Sequence, residues 1–298
     1  MVIGIIPNIS KSKIWDVVLT LIKKLDEEQM EYYIGENIRE KGFKHTSEIP
    51  EEKFLDNSKL FQVSDIIVSI GGDGTMLTTA YAARLTQTPL VGINYGKLGF
   101  LAEFDINSIN DLVLSIKNKK YYIEERMALS GYCKSEKDIE LYAINDIVID
   151  RGRWPKMIEL TVKADDEYVS TFSADGIIVA TPTGSTGYSL STGGPIVSPK
   201  TDVITLSPIS PHTLTMRPLV LAGSQKITVT ARSPHKNIQV ICDGQRVHYF
   251  KPPATINIFK SDKMLKLVHT SEKNYFEILR KKLFWGLDIR ANSNNNGD

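Results

Sequence analysis

The sequence predicts an α/β N-terminal lobe with a parallel sheet, followed by a mostly β C-terminal lobe. Up to about residue 100, short apolar runs alternate with segments of helical periodicity, which is the pattern of βαβ units. Beyond about residue 120, short strand-like runs follow one another between turn residues, and only one weak helical stretch interrupts them. We therefore expect an α/β domain over 1–104, completed by a C-terminal helix over 272–290, a β-rich domain over 121–270 and a disordered tail over 291–298.

Strands and helices are expected in turn along the first part of the chain. Apolar residues at spacings of three and four predict helices, and short unbroken apolar runs predict buried parallel strands. The expected elements are strand 2–6, helix 14–25, strand 66–70, helix 76–85, strand 90–93 and helix 106–118. The lysine-rich end of the last helix suits the negative end of a helix dipole.

The second part of the chain reads as strands separated by turns at regular intervals. The expected strands are 121–133, 141–150, 158–164, 177–180, 203–206, 226–231, 238–242, 254–259 and 264–269. Helical spacing returns over 275–284 and predicts a helix that packs on the N-terminal lobe.

Composition excludes several classes of function. The chain has 298 residues, with 36 Lys and Arg against 35 Asp and Glu, so neither nucleic acid nor an anionic membrane is the expected partner. The two cysteines lack CxxC spacing and are expected to be buried thiols in a reducing cytoplasm. We find no apolar stretch long enough to span a bilayer and no secretory leader, and expect a soluble protein.

The most informative segment is the glycine turn GGDGT at 71–75, which follows the apolar run 65–70 directly. A strand that ends in such a turn delivers backbone N–H groups to a phosphate at the start of the next helix. Asp73 is out of place in a pure phosphate cradle, because a carboxylate repels phosphate unless it holds a metal or takes a proton. On spacing alone, a tight turn with Asp73 as a helix cap is an equally good reading.

A second glycine- and hydroxyl-rich segment, TPTGSTGYSLSTGGP at 181–195, suits a nucleotide, because Tyr188 offers a ring on which a base can stack. A long surface loop is the alternative. The pair Asn145 and Asp146 can donate to and accept from the diol of a ribose, although Asn at a strand entrance is usually a turn residue. Residues 173–176 place Asp175 beside a glycine, and 243–245 read as a hairpin turn.

Taken together, these residues resemble the NAD kinase family over nearly the whole chain. The motifs that carry the resemblance are GGDGT at 71–75, GINYGKLGFL at 92–101, ND at 145–146, TPTGSTGYSLSTGGPI at 181–196, PHTLTMRPL at 211–219, DGQ at 243–245 and LRKKLFWG at 279–286. The resemblance implies the two-domain NAD kinase-like fold, with the active site between the lobes. It also implies transfer of the γ-phosphoryl group of ATP, carried with Mg²⁺, to the 2′-hydroxyl of the adenosine ribose of NAD.

The same resemblance implies residue roles. Asp73 would activate the hydroxyl as general base, and Mg²⁺ would be held through the nucleotide phosphates rather than by protein side chains. Substrate contacts would come from Gly74, Asn145, Asp146, Lys156, Ser173, Asp175, Thr186, Gly187, Tyr188, Ser191 and Gln245. Three of these positions depart from the usual family pattern: Gly187 stands for Ala, Ser173 for a basic residue and Asp146 for Glu.

Two other classes of function stay open from the residues themselves. One is another glycine-turn kinase that acts on a sugar phosphate or a lipid, and the other is an NAD(P) sensor without catalysis. Inorganic polyphosphate also stays open as a donor beside ATP. The resemblance and the many strand edges of the β-rich lobe predict a homodimer or homotetramer.

Overall fold

The computed structural model describes residues 1–10, 14–41, 49–95, 99–102, 104–270, 275–284 and 286. The chain divides into two compact units. Unit 1 comprises Met1–Thr79, Thr88–Glu124 and Leu267–Asp298, and unit 2 comprises Ala80–Gln87 and Glu125–Lys266. The tail predicted over 291–298 lies outside the described residues.

The first unit is built on a seven-stranded sheet. Its strands are β1 (Val2–Pro7), β2 (Glu31–Gly35), β3 (Phe54–Leu55), β4 (Ile66–Gly71), β5 (Leu90–Asn94), β6 (Tyr122–Arg126) and β19 (Leu265–His269). They lie in the order β3-β2-β1-β4-β5-β19-β6. The pairs β3–β2, β2–β1, β1–β4, β4–β5 and β5–β19 are parallel, which confirms the predicted parallel sheet.

The described residues form six α-helices, and five of them begin in unit 1. They are α1 (Ile14–Glu27), α2 (Asn57–Val63), α3 (Asp73–Ala83), α4 (Ile109–Lys117), the short α5 (Tyr188–Ser191) of unit 2, and α6 (Tyr275–Leu283). Single 3₁₀ turns lie at Glu36–Lys41, Glu51–Lys53, Ile106–Ser108 and Thr183–Thr186. In the described part of the chain, none of the helices has the length and apolar character needed to cross a bilayer.

Local sequence explains where these helices begin and which face they bury. In α1 the residues at helical spacing, among them Val18, Leu21 and Leu25, are fully or almost fully buried. The carboxylate of Asp56 caps α2 by accepting a 3.0 Å hydrogen bond from the Lys59 backbone. Helix α3 begins at Asp73, three residues earlier than predicted, because the glycine turn leads directly into its first turn.

The second unit is a sandwich of two antiparallel six-stranded sheets. Its strands are β7 (Leu129–Cys133), β8 (Glu136–Ala143), β9 (Asp146–Asp150), β10 (Ile158–Ala164), β11 (Glu167–Ala174), β12 (Gly176–Ala180), β13 (Val203–Ile209), β14 (Leu219–Ala222), β15 (Ile227–Arg232), β16 (Ile238–Cys242), β17 (Arg246–Phe250) and β18 (Ala254–Lys260). One sheet has the order β11-β10-β15-β18-β7-β8 and the other β14-β13-β12-β9-β16-β17. A single apolar core contains side chains of both sheets, and the α/β and mostly β fold class is thereby confirmed.

Some predicted strands differ from the observed ones. The runs 121–133 and 141–150 are each broken into two strands, and the strand predicted over 264–269 joins the seven-stranded sheet of unit 1. Strands β2, β3, β11, β14 and β17 were not predicted. All of these except β2 lie at the edge of a sheet, where one side is solvated and the apolar signal is weak.

Candidate active site

The glycine turn lies where the strand order of the parallel sheet reverses. From β1 the chain proceeds to β2 on one side, and β4 and β5 lie on the other side. Open α/β sheets bind ligands at the carboxyl ends of the strands that flank such a switch point. Here those ends carry Asn8, directly after β1, and the glycine turn 71–75, which begins at the last residue of β4.

Asn8 ties the two strand ends together. Its backbone N–H donates to the Ile70 carbonyl at 2.8 Å, and its side-chain amide donates to Thr75 Oγ1 at 3.0 Å. The turn itself is open at Gly72, since a Cβ built there has no neighbour within 4 Å. Gly74 is exposed in the first turn of α3. The first turn of α3 thus lies at the switch point, where the N-terminal end of a helix favours an anion.

Asp73, the first residue of α3, has its carboxylate bound within unit 1. Oδ2 accepts from the Phe100 N–H at 2.9 Å, and Oδ1 accepts from Leu101 at 3.0 Å and Ala102 at 3.2 Å. The ammonium of Lys282, near the end of α6, lies 3.3 Å from Oδ2. The Asp73 side chain keeps 30% of its surface exposed, so the group is accessible although its oxygens are bonded.

In the second unit, the predicted ribose pair is held by a distant hairpin. Asn145 lies between β8 and β9, and Asp146 begins β9. The carboxylate of Asp243 accepts hydrogen bonds from the backbone of Ile144 at 2.9 Å and of Asn145 at 2.7 Å. Asp243 is in turn paired with Arg246 at 2.7 Å. The predicted 243–245 hairpin turn is confirmed between β16 and β17, and its first residue fixes the backbone of the ND pair.

The hydroxyl-rich segment packs on the same pair. The Thr181 N–H donates to the Asn145 carbonyl at 2.9 Å, and the Thr181 hydroxyl donates to Ile144 O at 2.5 Å. Gly184 lies so close to the Asn145 backbone that a Cβ there would overlap it. A Cβ built at Gly187 would lie 3.8 Å from Asn145 Nδ2 and 3.9 Å from Asp146 Oδ2. The structure therefore brings the ND pair and this segment together.

The segment is not a free loop. Residues 183–186 form a 3₁₀ turn and α5 follows directly, with Ser185 and Ser189 buried. Ser185 Oγ accepts from the Val197 backbone at 3.0 Å. Tyr188, the first residue of α5, keeps 47% of its surface exposed. Thr186 is half-buried, and Ser191 and Gln245 are exposed.

Asp146 has unusual electrostatics. Asp146 is a buried residue. Burial, together with the nearby Asp243 carboxylate, raises the pKa of its carboxyl group from 3.8 to about 7. Burial also raises the pKa of Asp243, while the Ile144 and Asn145 amides and Arg246 act against that shift. Asp146 is therefore able to change protonation state close to neutral pH.

Three predicted site residues lie at the other end of unit 2. Asp175 lies just before the start of β12, and the hydroxyl-rich segment lies just after its end. Strand β12 pairs with β9, and Ala180 at its end lies opposite Asp146. At about 3.4 Å per residue, Asp175 is roughly 17 Å from that end. Its carboxylate is paired with Arg151 Nε at 2.6 Å. Exposed Ser173 and exposed Lys156 lie on this same side, because Ile158 pairs with Ala174.

Sequence reasoning missed four residues that support these positions: Asn8, Asp243, Arg246 and Lys282. The sequence indicates Asp243 only as a turn residue, whereas its burial in the structure requires hydrogen-bond partners for the carboxylate. No local pattern marks Asn8 and Lys282, because their partners are distant in the sequence, and Arg246 is tied to the site only through Asp243. In the described residues, no cluster of His, Cys, Asp and Glu could hold a metal ion.

The fold and the glycine turn at its switch point define a nucleotide-binding α/β protein of the kinase class. Residues 3–121 match the family described as ATP-NAD kinase N-terminal domain, and residues 144–270 match ATP-NAD kinase C-terminal domain. Together these matches cover most of the chain. The chain belongs to the NAD kinase family and is an enzyme of that family.

Individual relatives agree with this assignment. The chain is 37% identical over 287 residues to an NAD kinase of Chlorobium phaeovibrioides, covering 96% of this chain and 99% of the relative. It is 40% identical over 229 residues to an NAD kinase of Sulfurimonas denitrificans, covering 76% and 80% of the two chains.

Two solved structures share the fold. Yeast NADH kinase complexed with NADH superposes with a TM-score of 0.88 at 26% identity, covering 97% of this chain and 89% of that chain. An NAD kinase from Archaeoglobus fulgidus in complex with ATP has a TM-score of 0.73 at 25% identity, covering 95% and 99%.

Proposed function

We propose that this enzyme transfers the γ-phosphoryl group of ATP to the 2′-hydroxyl of the adenosine ribose of NAD, which yields NADP. The observation that carries the proposal is the position of Asp73, an acid in a glycine turn at the switch point of the sheet. The named relatives support it, since they are NAD kinases and one solved neighbour is bound to ATP.

Asp73 is proposed as the general base. A ribose hydroxyl is a weak nucleophile at neutral pH, so a carboxylate must accept its proton as the bond to phosphorus forms. The N–H groups of the glycine turn and of the first turn of α3 would lie against phosphate oxygens and offset their charge. Gly74, exposed in that turn, leaves room for a phosphate to approach the backbone.

The dinucleotide is proposed to bind to the ND pair and the segment that packs on it. Asn145 and Asp146 together offer a donor and an acceptor to the ribose hydroxyls. The exposed ring of Tyr188 would stack on a base, with Thr186, Gly187, Ser191 and Gln245 as further contacts. Lys156, Ser173 and Asp175 are proposed to contact substrate only in a second region, because they lie at the opposite end of β12.

Mg²⁺ is proposed to arrive with the nucleotide. The described residues offer no side-chain cluster for a metal, and the oxygens of Asp73 are already bonded to N–H donors. The residues therefore fit a cation carried by the ATP phosphates, where it would neutralise charge on the transferring group. The backbone N–H groups of the glycine turn would be the contribution of the protein itself.

We also propose a compartment and an assembly for this enzyme. Cys133 and Cys242 are free and buried, which suits a reducing compartment, and we propose the cytoplasm. A homodimer or homotetramer is proposed from the family resemblance and from the exposed edge strands β11, β14 and β17. Polyphosphate as a second donor is tested by substituting it for ATP.

The test is an assay of the purified protein with NAD, ATP and Mg²⁺ for formation of NADP. Wild type should form NADP, and Asp73→Asn should lose at least about 10²-fold in kcat while it still binds NAD. Binding of NAD without product would instead indicate a sensor, and no NAD binding would indicate a kinase for another acceptor. Near-normal turnover of Asp73→Asn would remove Asp73 from the role of base.

A further inference from the structure

The C-terminal helix of unit 1 carries a cation to the proposed base. Lys282 lies one residue before the end of α6, and its ammonium lies 3.3 Å from Asp73 Oδ2. The same ammonium lies 4.7 Å from the centre of the Phe100 ring. Phe100 also contacts the ring of Tyr275, at the start of α6, with 6.5 Å between the ring centres. Helix α6 thus contacts Phe100, whose backbone N–H donates to Asp73.

The oxygens of Asp73 have no acceptor capacity left in this arrangement. A carboxylate offers about four lone-pair sites. Leu101 and Ala102 donate to Oδ1, and Phe100 and Lys282 donate to Oδ2. A general base must accept a hydrogen bond from the hydroxyl that it deprotonates, at about 2.6–3.2 Å. One of the four donors must therefore leave when the hydroxyl arrives.

Lys282 is the donor that can leave most easily. The three amides belong to the consecutive residues 100–102, whose backbone is fixed in part by the 3.1 Å bond from Gly99 N–H to Ala102 O. Lys282 has a flexible stem and makes the longest of the four contacts, and about a quarter of its side chain is exposed to water. Its ammonium can return to solvent at little cost, whereas an amide of the segment cannot.

We propose that Lys282 acts through Asp73: it occupies the acceptor site on Oδ2 that the reacting hydroxyl takes, and the hydroxyl displaces it. This inference rests on the proposed function, in which Asp73 is the base. The three amides hold the carboxylate in place throughout, so Lys282 is not needed for its orientation. Its effect is on NAD binding, because each NAD must break the Lys282–Asp73 contact.

The test is a comparison of Lys282→Met and Lys282→Arg with wild type in NAD binding and turnover. Since the Lys282–Asp73 ion pair is partly exposed and such pairs contribute little, Lys282→Met should lower the dissociation constant and KM for NAD by about two- to fivefold, with kcat within about twofold. Lys282→Arg keeps the charge and should resemble wild type. Melting temperatures confirm that each variant is folded.

The matched control is Lys281→Met. Lys281 is the preceding residue of α6 and pairs at 2.7 Å with Glu277 on the exposed face, so the substitution removes the same charge from the same helix without touching Asp73. It should leave the NAD constants unchanged. An equal gain in affinity in Lys281→Met would overturn the inference, because the effect would then be one of general charge.

A double variant separates this inference from the proposed function. In an Asp73→Asn background the ion pair is absent, so adding Lys282→Met should no longer improve NAD binding. If the gain persists there, or if Lys282→Met weakens NAD binding or lowers kcat more than tenfold, Lys282 does not act through Asp73 and the inference fails. Failure of the proposed function has a different result, which is normal turnover of Asp73→Asn alone.

Discussion

The carboxylate of Asp243 lies 2.7 Å from the backbone nitrogen of Asn145, across 98 residues of sequence. The same oxygen accepts from Ile144, and the second oxygen is paired with Arg246 at 2.7 Å. The side chain of Asp243 is fully buried. A hairpin turn between two strands of the sandwich therefore sets the position of the proposed ribose pair.

Two substitutions of Asp243 should separate its hydrogen bonds to backbone N–H groups from its ion pair. Asp243→Ala leaves two N–H groups and a guanidinium without their acceptor, and should cost about 3 kcal/mol in the free energy of unfolding. Asp243→Asn keeps an acceptor for the amides and tolerates the positive φ of 54° found here, so it should cost less than the Ala variant. Urea unfolding measures both, with the exposed Asp138→Ala as control. Equal losses for Ala and Asn would contradict the role of the two amide bonds.

The raised pKa of Asp146 predicts that the free energy of unfolding falls as the pH rises toward neutrality. Its folded pKa of about 7 lies above the value of 3.8 expected for the unfolded chain. Between these values the folded state holds a proton that the unfolded state has lost, so raising the pH favours unfolding by up to about 1.4 kcal/mol per pH unit. The loss should begin near pH 4 and be complete above about pH 7.

Asp146→Asn is the matched variant for this prediction, since it cannot ionise. Its free energy of unfolding should decline less than that of wild type over this window, although Asp243, whose pKa burial also raises, still titrates. The difference between the two proteins should therefore grow with pH and then level off. Parallel curves for the two proteins across pH 4 to 7 would show that Asp146 is not the group responsible.

Much of the fold was predictable because it is encoded locally. The apolar runs 66–70 and 238–242 are strands almost as predicted, and the helical spacing over 14–25 is helix α1. The edge strands were missed, since an edge such as β11 exposes half of its residues and lacks a continuous apolar pattern. The break between β8 and β9 lies at Asn145, where the sequence already indicates a strand entrance, and the bonds of Asp243 fix its position.

The proposed site was predictable only in part. The glycine turn and the ND pair have polar residues next to buried strands, which is a local signal. Support from Asp243 and Lys282 depends on contacts across 98 and 209 residues, and no periodicity encodes such a contact. The predicted roles of Lys156, Ser173 and Asp175 stay predictions, and the fold places them apart from the ND pair.

Asn145→Ala should weaken the binding of NAD without changing that of ATP. The substitution removes one side-chain donor and acceptor proposed to meet the ribose, and the loss of one such hydrogen bond corresponds to about a three- to tenfold rise in the KM for NAD. The KM for ATP should stay within twofold of wild type. Steady-state kinetics with each substrate varied measures both, and Asn110→Ala, exposed on α4, is the control. A rise confined to the KM for ATP would contradict the assignment of Asn145 to the dinucleotide.

Gly184→Ala and Gly72→Ala should both impair the proposed site, but only Gly184→Ala should lower stability. A Cβ at Gly184 would overlap the carbonyl of Asn145, which cannot move without breaking its bond from Thr181, so we expect a loss of about 1–3 kcal/mol in stability together with weaker NAD binding. A Cβ at Gly72 has no neighbour within 4 Å, so Gly72→Ala should fold like wild type. It should nevertheless lose turnover if a phosphate approaches the backbone of the glycine turn there. Thermal unfolding and NADP formation, measured on both variants, check the pair of predictions. A stable and active Gly184→Ala would show that the contact with the ND pair does not constrain the site. A fully active Gly72→Ala would show that no phosphate approaches the backbone of the glycine turn there.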